Sequence, residues 1–240
     1  MEMPTLNTRL DSPTHETYQL SSEDAVHWLK SLEGGSVDLV ITDPPYESLE
    51  KHRKIGTTTR LKNSKSSSNP WFEIFPNSRF EELLIEIYRV LKNNSHFYLF
   101  CDQETAFFIK PIAESVGFKF WKPIIWDKMA IGMGYHYRAR YEFILFFEKG
   151  KRKLNDLSIP DILSEKRIWR GYPTEKPINL AKTLILQSTS VRQMVIDPFC
   201  GVGFVGCASV ELNRIFKGND INSDAVGITK KRIDTIKQIL

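Results

Sequence analysis

Short apolar runs alternate with amphipathic helical patterns along almost all of this chain, and that alternation leaves few folds open. Tyr18-Gln19-Leu20 reads as a short strand. A helix start follows, with Ser22 as the expected N-cap and Val26, Leu29 and Leu32 on one face. Gly34-Gly35 closes that helix, and Val37 to Thr42 is a buried strand. Phe80 to Leu91 carries Leu83, Leu84, Ile87, Tyr88 and Leu91 at helical spacing. Asn93-Asn94 turns the chain into a strand over Phe97 to Cys101, and a helix over Glu104 to Val116 ends at Gly117. Strands follow at Lys119 to Trp126 and Glu142 to Phe147, then a helix over Lys176 to Gln187. Strands at Met194 to Asp197 and Ile215 to Asn219 flank a helix running to about Asn213, and an amphipathic helix spans Ala225 to Ile239. The pattern predicts an α/β fold, a doubly wound and mostly parallel sheet covered by helices on both faces. No internal repeat interrupts it. A length of 240 residues suits one such domain over residues 1–240, with room for insertions.

Composition narrows the function classes. Hydrophobic content of 41% with 26% charged residues is ordinary for a globular protein. Cys101, Cys200 and Cys207 are odd in number and lack C-x-x-C spacing, which argues against a disulfide framework or a cysteine-rich zinc site. His15, His27, His52, His96 and His136 are scattered, and no metal is expected. Met1 to Glu16 is polar, without the apolar core of a signal peptide, and no apolar stretch approaches a bilayer span. A cytoplasmic location is the expectation.

The net charge of +4 permits a nucleic-acid partner without demanding one, so its distribution matters more. From Lys51 to Phe72 there is no acidic residue, whereas Lys51, Arg53, Lys54, Arg60, Lys62 and Lys65 are basic. A mobile basic loop is expected over 47–72, with backbone phosphates as its natural partner. A second segment, 128–173, interleaves Arg138, Arg140, Lys149, Arg152 and Arg170 with Tyr135, His136, Tyr137 and Trp169. Basic and aromatic groups together grip phosphates and stack on bases. Within it, Tyr141 to Phe147 is core strand.

Asp43-Pro44-Pro45-Tyr46 stands at the carboxyl end of the strand Val37 to Thr42. The carboxylate accepts hydrogen bonds, and the prolines supply no N–H, leaving flanking carbonyls as acceptors. The tyrosine offers a flat ring. Together they suit a planar group with an exocyclic NH2, such as the edge of adenine or cytosine. Judged alone, the corner is equally an ordinary strand-to-loop exit.

Asp197-Pro198-Phe199-Cys200-Gly201-Val202-Gly203-Phe204-Val205-Gly206 sits where a strand turns into a helix, and Asp220 ends the next strand. The glycines spell G-x-G-x-x-G, which lets backbone approach a ligand closely, with the downstream acid placed for a ribose hydroxyl pair. A dinucleotide fold normally puts this turn first, with further α/β units after it. Here only a short tail follows Asp220. A smaller adenosine ligand without phosphates, such as S-adenosylmethionine, fits better; a nicotinamide-dependent oxidoreductase is the runner-up.

With both motifs in place, the chain resembles the amino-methyltransferases of DNA in their beta arrangement, where D-P-P-Y precedes D-P-F-x-G-x-G. This is a circularly permuted order on a Rossmann-like methyltransferase fold. Glu23-Asp24 resembles the family's G-D-x-x-x-x-L segment, with Glu in place of Gly. Ile125 to Lys128 and Tyr141 to Phe147 resemble its later strands, and Pro173-Thr174-Glu175-Lys176-Pro177 its P-T-[EQ]-K-P element. Tyr172 stands where His often precedes that element, and Val202 and Phe204 replace small hydroxyl residues.

The resemblance implies S-adenosylmethionine as cofactor and double-stranded DNA as substrate, with no membrane partner and a homodimer as a possible assembly. It assigns catalysis to Asp43, Pro44, Pro45 and Tyr46. Cofactor contacts fall to Asp24, Asp43, Thr174, Lys176, Asp197, Phe199, Gly201, Gly203 and Asp220. DNA contacts are expected from Lys51, Arg53, Lys54, Arg60, Lys62, Arg138 and Arg140, with 128–173 as a target-recognition insertion. Family members with Asp at the first motif position mostly modify adenine N6, so cytosine N4 is the alternative. A DNA-binding protein that keeps the fold without catalysis is a further one.

Overall fold

A computed structural model describes residues 17–48, 73–132, 137–168 and 175–240. Lys51, Arg53, Lys54, Arg60, Lys62, Lys65, Tyr135, His136, Trp169, Arg170 and Thr174, all named from the sequence, lie outside the described residues. In chain order the elements are β1 (Tyr18–Ser21), α1 (Ala25–Ser31), β2 (Val37–Thr42), α2 (Phe80–Val90) and β3 (Leu91–Cys101). Then come α3 (Gln103–Val116), β4 (Lys119–Asp127), β5 (Tyr141–Lys149), β6 (Ile162–Ser164) and α4 (Ile178–Ser188). The chain ends with β7 (Met194–Asp197), α5 (Phe204–Glu211), β8 (Ile215–Asn219) and α6 (Ser223–Ile239). A single 3-10 turn, Asn77–Arg79, leads into α2.

The strands form one eight-stranded sheet in the order β1-β8-β7-β2-β3-β5-β4-β6. β1 through β3 in that order pair in parallel, β5 runs antiparallel to both β3 and β4, and β6 is parallel to β4. The expected doubly wound, mostly parallel sheet is what forms. Side-chain alternation sorts the two faces. Val40, Phe97 and Leu99 pack with α1, α2 and α3, whereas Leu39, Ile41, Tyr98 and Phe100 pack with α4, α5 and α6. Residues buried on both faces explain why the central strands read as nearly continuous apolar runs.

Several boundaries differ from the sequence reading, each for a local reason. Asp24, not Ser22, caps α1: its Oδ1 accepts from the backbone N–H of Val26 and His27, each at 3.1 Å. The helix closes at Leu32, before the Gly34-Gly35 pair. β3 starts at Leu91 and contains Asn93-Asn94, with Asn94 taking a φ of 60° inside the strand. β6 has no sequence signal, because three residues carry no periodicity. Gly117 ends α3 as expected, at a φ of 117°.

The second half of the glycine motif serves packing. Gly203 has a φ of 83°, and a Cβ there would lie 2.6 Å from Thr229 Cγ2 on α6. Gly206, inside α5, faces the fully buried ring of Phe216, 2.6 Å from where a Cβ would sit. The ring has no room to retreat, so Gly206→Ala should destabilise the protein by about 1–3 kcal/mol. Urea denaturation measures this; an unchanged midpoint would show that the α5–β8 contact yields.

Candidate active site

The site forms where the two halves of the winding meet. β2 pairs with β7 in parallel, Leu39 opposite Val195 and Val40 opposite Ile196. α2, which follows β2, covers one face, and α5, which follows β7, covers the other. The carboxyl ends of these strands therefore diverge and leave a crevice, the usual ligand position in an open α/β sheet. A cavity of about 360 Å³ opens there, lined by both Asp43-Pro44-Pro45-Tyr46 and the Pro198-to-Val202 turn.

One half of the cavity belongs to the glycine turn. Gly201 has a φ of 50°, and a Cβ there would meet nothing within 4 Å, so the backbone borders open space. Its N–H donates to Asp220 Oδ2 at 2.8 Å, while Asp220 Oδ1 accepts from Asn222 N–H at 2.9 Å. Burial raises the Asp220 carboxyl above its ordinary range against these two donors. Phe199 meets Phe75 edge-on, with ring centroids 5.2 Å apart, and both line the cavity. Arg79 places its guanidinium 5.2 Å from the Phe75 ring centroid and forms a two-pronged ion pair with Asp24, at 2.7 and 2.8 Å. That pair holds the Asp24 carboxyl down at about 2. Arg232 on α6 donates to the Val202 carbonyl at 2.7 Å and pairs with Glu175 at 2.8 Å. It thus ties the turn to the segment carrying Lys176.

The other half is the Asp43 corner. Asp43 is ion-paired to Lys176 through Oδ2. Among the described residues, Asp43 Oδ1 and the Pro44 carbonyl have no hydrogen-bond donor. The Pro45 carbonyl is not free as expected: it accepts from Phe75 N–H at 2.7 Å. Tyr46 is almost fully buried, yet it lines the cavity. Glu142 on β5 sits 3.5 Å from Lys176 and 2.6 Å from Lys128. Burial works against Lys176, but Asp43 and then Glu142 outweigh it and hold the ammonium above its ordinary value. Glu142 is likewise lowered despite burial, by Lys176 and Lys128. Burial raises Asp43, with Lys176 opposing. Two carboxylates and two ammonium groups balance one another at the edge of the cavity.

The structure brings Asp24, Asp43, Pro44, Pro45, Tyr46, Lys176, Phe199, Gly201 and Asp220 to one cavity. Asp197 and Gly203 lie beneath it instead. Asp197 is fully buried; its Oδ1 accepts from the Thr42 hydroxyl at 2.9 Å and Phe199 N–H at 3.0 Å. These bonds join the ends of β2 and β7. Of the proposed DNA contacts, Arg140 is committed to Asp127 at 2.6 and 2.7 Å, while Arg138 is exposed. Sequence reasoning gave no site role to Phe75, Arg79, Lys128, Glu142 or Arg232. Glu142 carried the one usable signal, an acid directly before the apolar run Phe143 to Phe147.

The α/β sheet thus places an open glycine turn and a carboxylate corner on one cavity. The family model for DNA methylases of the N6/N4 type matches residues 37–231, and the chain belongs to that family. It is 28% identical to the type II methyltransferase M.HpaI of Haemophilus parainfluenzae, covering 90% of this chain and 74% of that one. It is 26% identical to the DNA adenine methyltransferase YhdJ of Escherichia coli, covering 88% and 81%. The crystal structure of an M1.HpyAVI-SAM complex superposes with a TM-score of 0.67 at 23% identity, covering 90% of this chain and 99% of that one. The cytosine-N4-specific PvuII DNA methyltransferase gives 0.69 at 15% identity, covering 93% of each.

Asp197 makes a pH prediction. Burial raises its pKa to about 8, and Oδ2 is buried without a partner. The folded state thus holds this proton more tightly than the unfolded chain, whose carboxyl titrates at the ordinary 3.8. The stability so gained is complete below that value and is lost as pH rises to about 8. Asp197→Asn removes the titration. Its melting temperature relative to the parent should climb between pH 5 and 8; a constant difference would refute the burial argument.

Proposed function

We propose that this protein transfers a methyl group from S-adenosylmethionine to the exocyclic N6 of an adenine extruded from double-stranded DNA. The observation that carries this reading is the pair of acceptors at the end of β2, Asp43 Oδ1 and the Pro44 carbonyl, which have no donor among the described residues and belong to residues lining the cavity of the glycine turn. The residues present fit the cofactor. Phe199 and Phe75 supply apolar ring surface, Gly201 leaves open space, and Asp220 supplies a carboxylate at the adjoining strand end. Asp24 and Lys176 complete the charged lining. Thr174 belongs to the same proposed set, with Asp197 and Gly203 supporting the turn from below.

When bound, the cofactor supplies an electrophilic sulfonium methyl. The amino group of adenine is a poor nucleophile, because its lone pair is delocalised into the ring. Asp43 and the Pro44 carbonyl accept its two N–H bonds, which favours a localised lone pair directed away from both. Tyr46, fixed by burial, offers its ring as a wall for the base. Catalysis is then positioning and electrostatic preorganisation. Extruding the base costs a few kcal/mol, offset by stacking and phosphate contacts. Arg167 at the cavity, the exposed Arg138, and Lys51, Arg53, Lys54, Arg60 and Lys62 are the cations proposed for the backbone.

Adenine is favoured over cytosine by the Asp at the first motif position, and YhdJ is named an adenine methyltransferase. The PvuII neighbour keeps cytosine N4 as the second reading. Incubation with labelled S-adenosylmethionine and unmodified DNA, followed by digestion, identifies the product nucleoside. N6-methyladenine is expected. Asp43→Ala should lower transfer by about 10²–10³-fold or more, while cofactor affinity stays within a few-fold. Undiminished transfer by that variant would sink the assignment.

A further inference from the structure

Lys176 is the only ammonium on Asp43 among the described residues, and it occupies one oxygen of the carboxylate proposed to receive substrate. It also stands 3.5 Å from a second carboxylate, Glu142 on β5. Glu142 does not depend on Lys176 for its own charge balance, because Lys128 pairs with it at 2.6 Å. The site therefore holds one buried ammonium between two acids. One acid faces the substrate corner, and the other is already compensated.

We propose that Lys176 is shared between these acids, and that Glu142 is a positioning residue that holds the ammonium when Asp43 turns to the substrate amino group. The inference rests on the methyl-transfer reading above. Its physical basis is competition. Lys176 holds Oδ2 and leaves Oδ1 to the amine, but the two oxygens share one negative charge, so an ammonium on Oδ2 draws charge from Oδ1 and weakens it as an acceptor. Withdrawing Lys176 altogether would leave it unpaired in a poorly hydrated place, at a cost the neutral amine does not repay. A second carboxylate within reach removes that cost. The ammonium moves a short distance, keeps a full ion pair and stays beside Asp43 as a background positive charge. Lys128 then prevents Glu142 from holding Lys176 permanently, because it satisfies part of the same carboxylate. The 5.6 Å approach of Lys176 to the Phe100 ring lets the ammonium sit between the acids without full hydration.

Other groups facing the cluster fit this assignment. Tyr46 feels both Asp43 and Glu142, and burial together with these charges raises its phenol well above the ordinary value. It stays neutral and takes no part in the exchange. Cys101 is similarly raised and inert.

Glu142→Gln is the direct test, read in steady-state methyl transfer to DNA and in equilibrium binding of S-adenosylmethionine. Lys176 should then remain on Asp43. The expected result is a fall in kcat of tenfold or more, with cofactor Kd within threefold and KM for DNA little changed. Wild-type kcat in this variant would overturn the proposal. Glu142→Gln also leaves Lys128 unpaired and can destabilise the fold, so the double variant Glu142→Gln/Lys128→Met decides between roles. It restores charge balance while leaving Lys176 with Asp43 alone. If Glu142 only balanced charge, the double variant would recover kcat to within threefold of wild type, and the proposal fails. A kcat still depressed tenfold in a protein of wild-type melting temperature supports it. Absence of DNA methylation by the wild-type protein would instead refute the underlying reaction, which every arm of this test presupposes.

Discussion

The parallel pairing of β2 with β7 is the contact on which the rest of the site depends. It joins segments more than 150 residues apart, and the bond from Thr42 to Asp197 spans a separation of 155. Because the helices that directly follow β2 and β7 lie on opposite faces, their ends splay and the crevice follows from topology. Asp43 and the Pro198-to-Val202 turn become neighbours only through that ladder. The buried Asp197 carboxyl reinforces it by binding both the end of β2 and the start of the turn.

Charge burial is the second organising constraint. Lys176 and Glu142 carry little exposed side chain, 8% and 21%, and neither would remain charged there alone. Together with Asp43 and Lys128 they form a balanced group, in which each charge has an opposite partner within ion-pair distance. Such clusters contribute modestly to net stability, because desolvation offsets most of the attraction. Their value here is positional. They fix Asp43 at the cavity, where its second oxygen has no donor among the described residues. The Arg79–Asp24 pair plays a parallel part at the opposite side, holding the start of α1 against the 3-10 turn before α2.

Much of the fold was legible from periodicity, because the helices bury one stripe each and the central strands are apolar throughout. Phe80 to Val90 and Met194 to Asp197 came out almost as read. Departures fall where local signals compete. Asp24 outbid Ser22 as a cap because its carboxylate reaches two N–H groups and Arg79. β6 was too short to register, and Asn93-Asn94 resembled a turn but sits inside a strand. Within the site, Asp43, Tyr46, Phe199, Gly201 and Asp220 were readable because a motif at a strand end has a chemical meaning of its own. Lys128, Arg79 and Arg232 were not, since each acts through a partner distant in sequence, and Glu142 showed only as an acid at the edge of an apolar run.

By itself the sequence determined the element order, the two motifs and their residue chemistry: an acceptor corner beside prolines, and a turn that only glycine permits. Those properties are local, set by backbone geometry and side-chain type within a few residues. Tertiary structure alone decided that the two motifs share one cavity, that Asp197 and Gly203 lie under it, and that Lys176 bridges Asp43 and Glu142. Ion pairing depends on distances of a few ångström and on exclusion of water. Neither is defined until the sheet has brought β2, β5 and β7 into register and covered them.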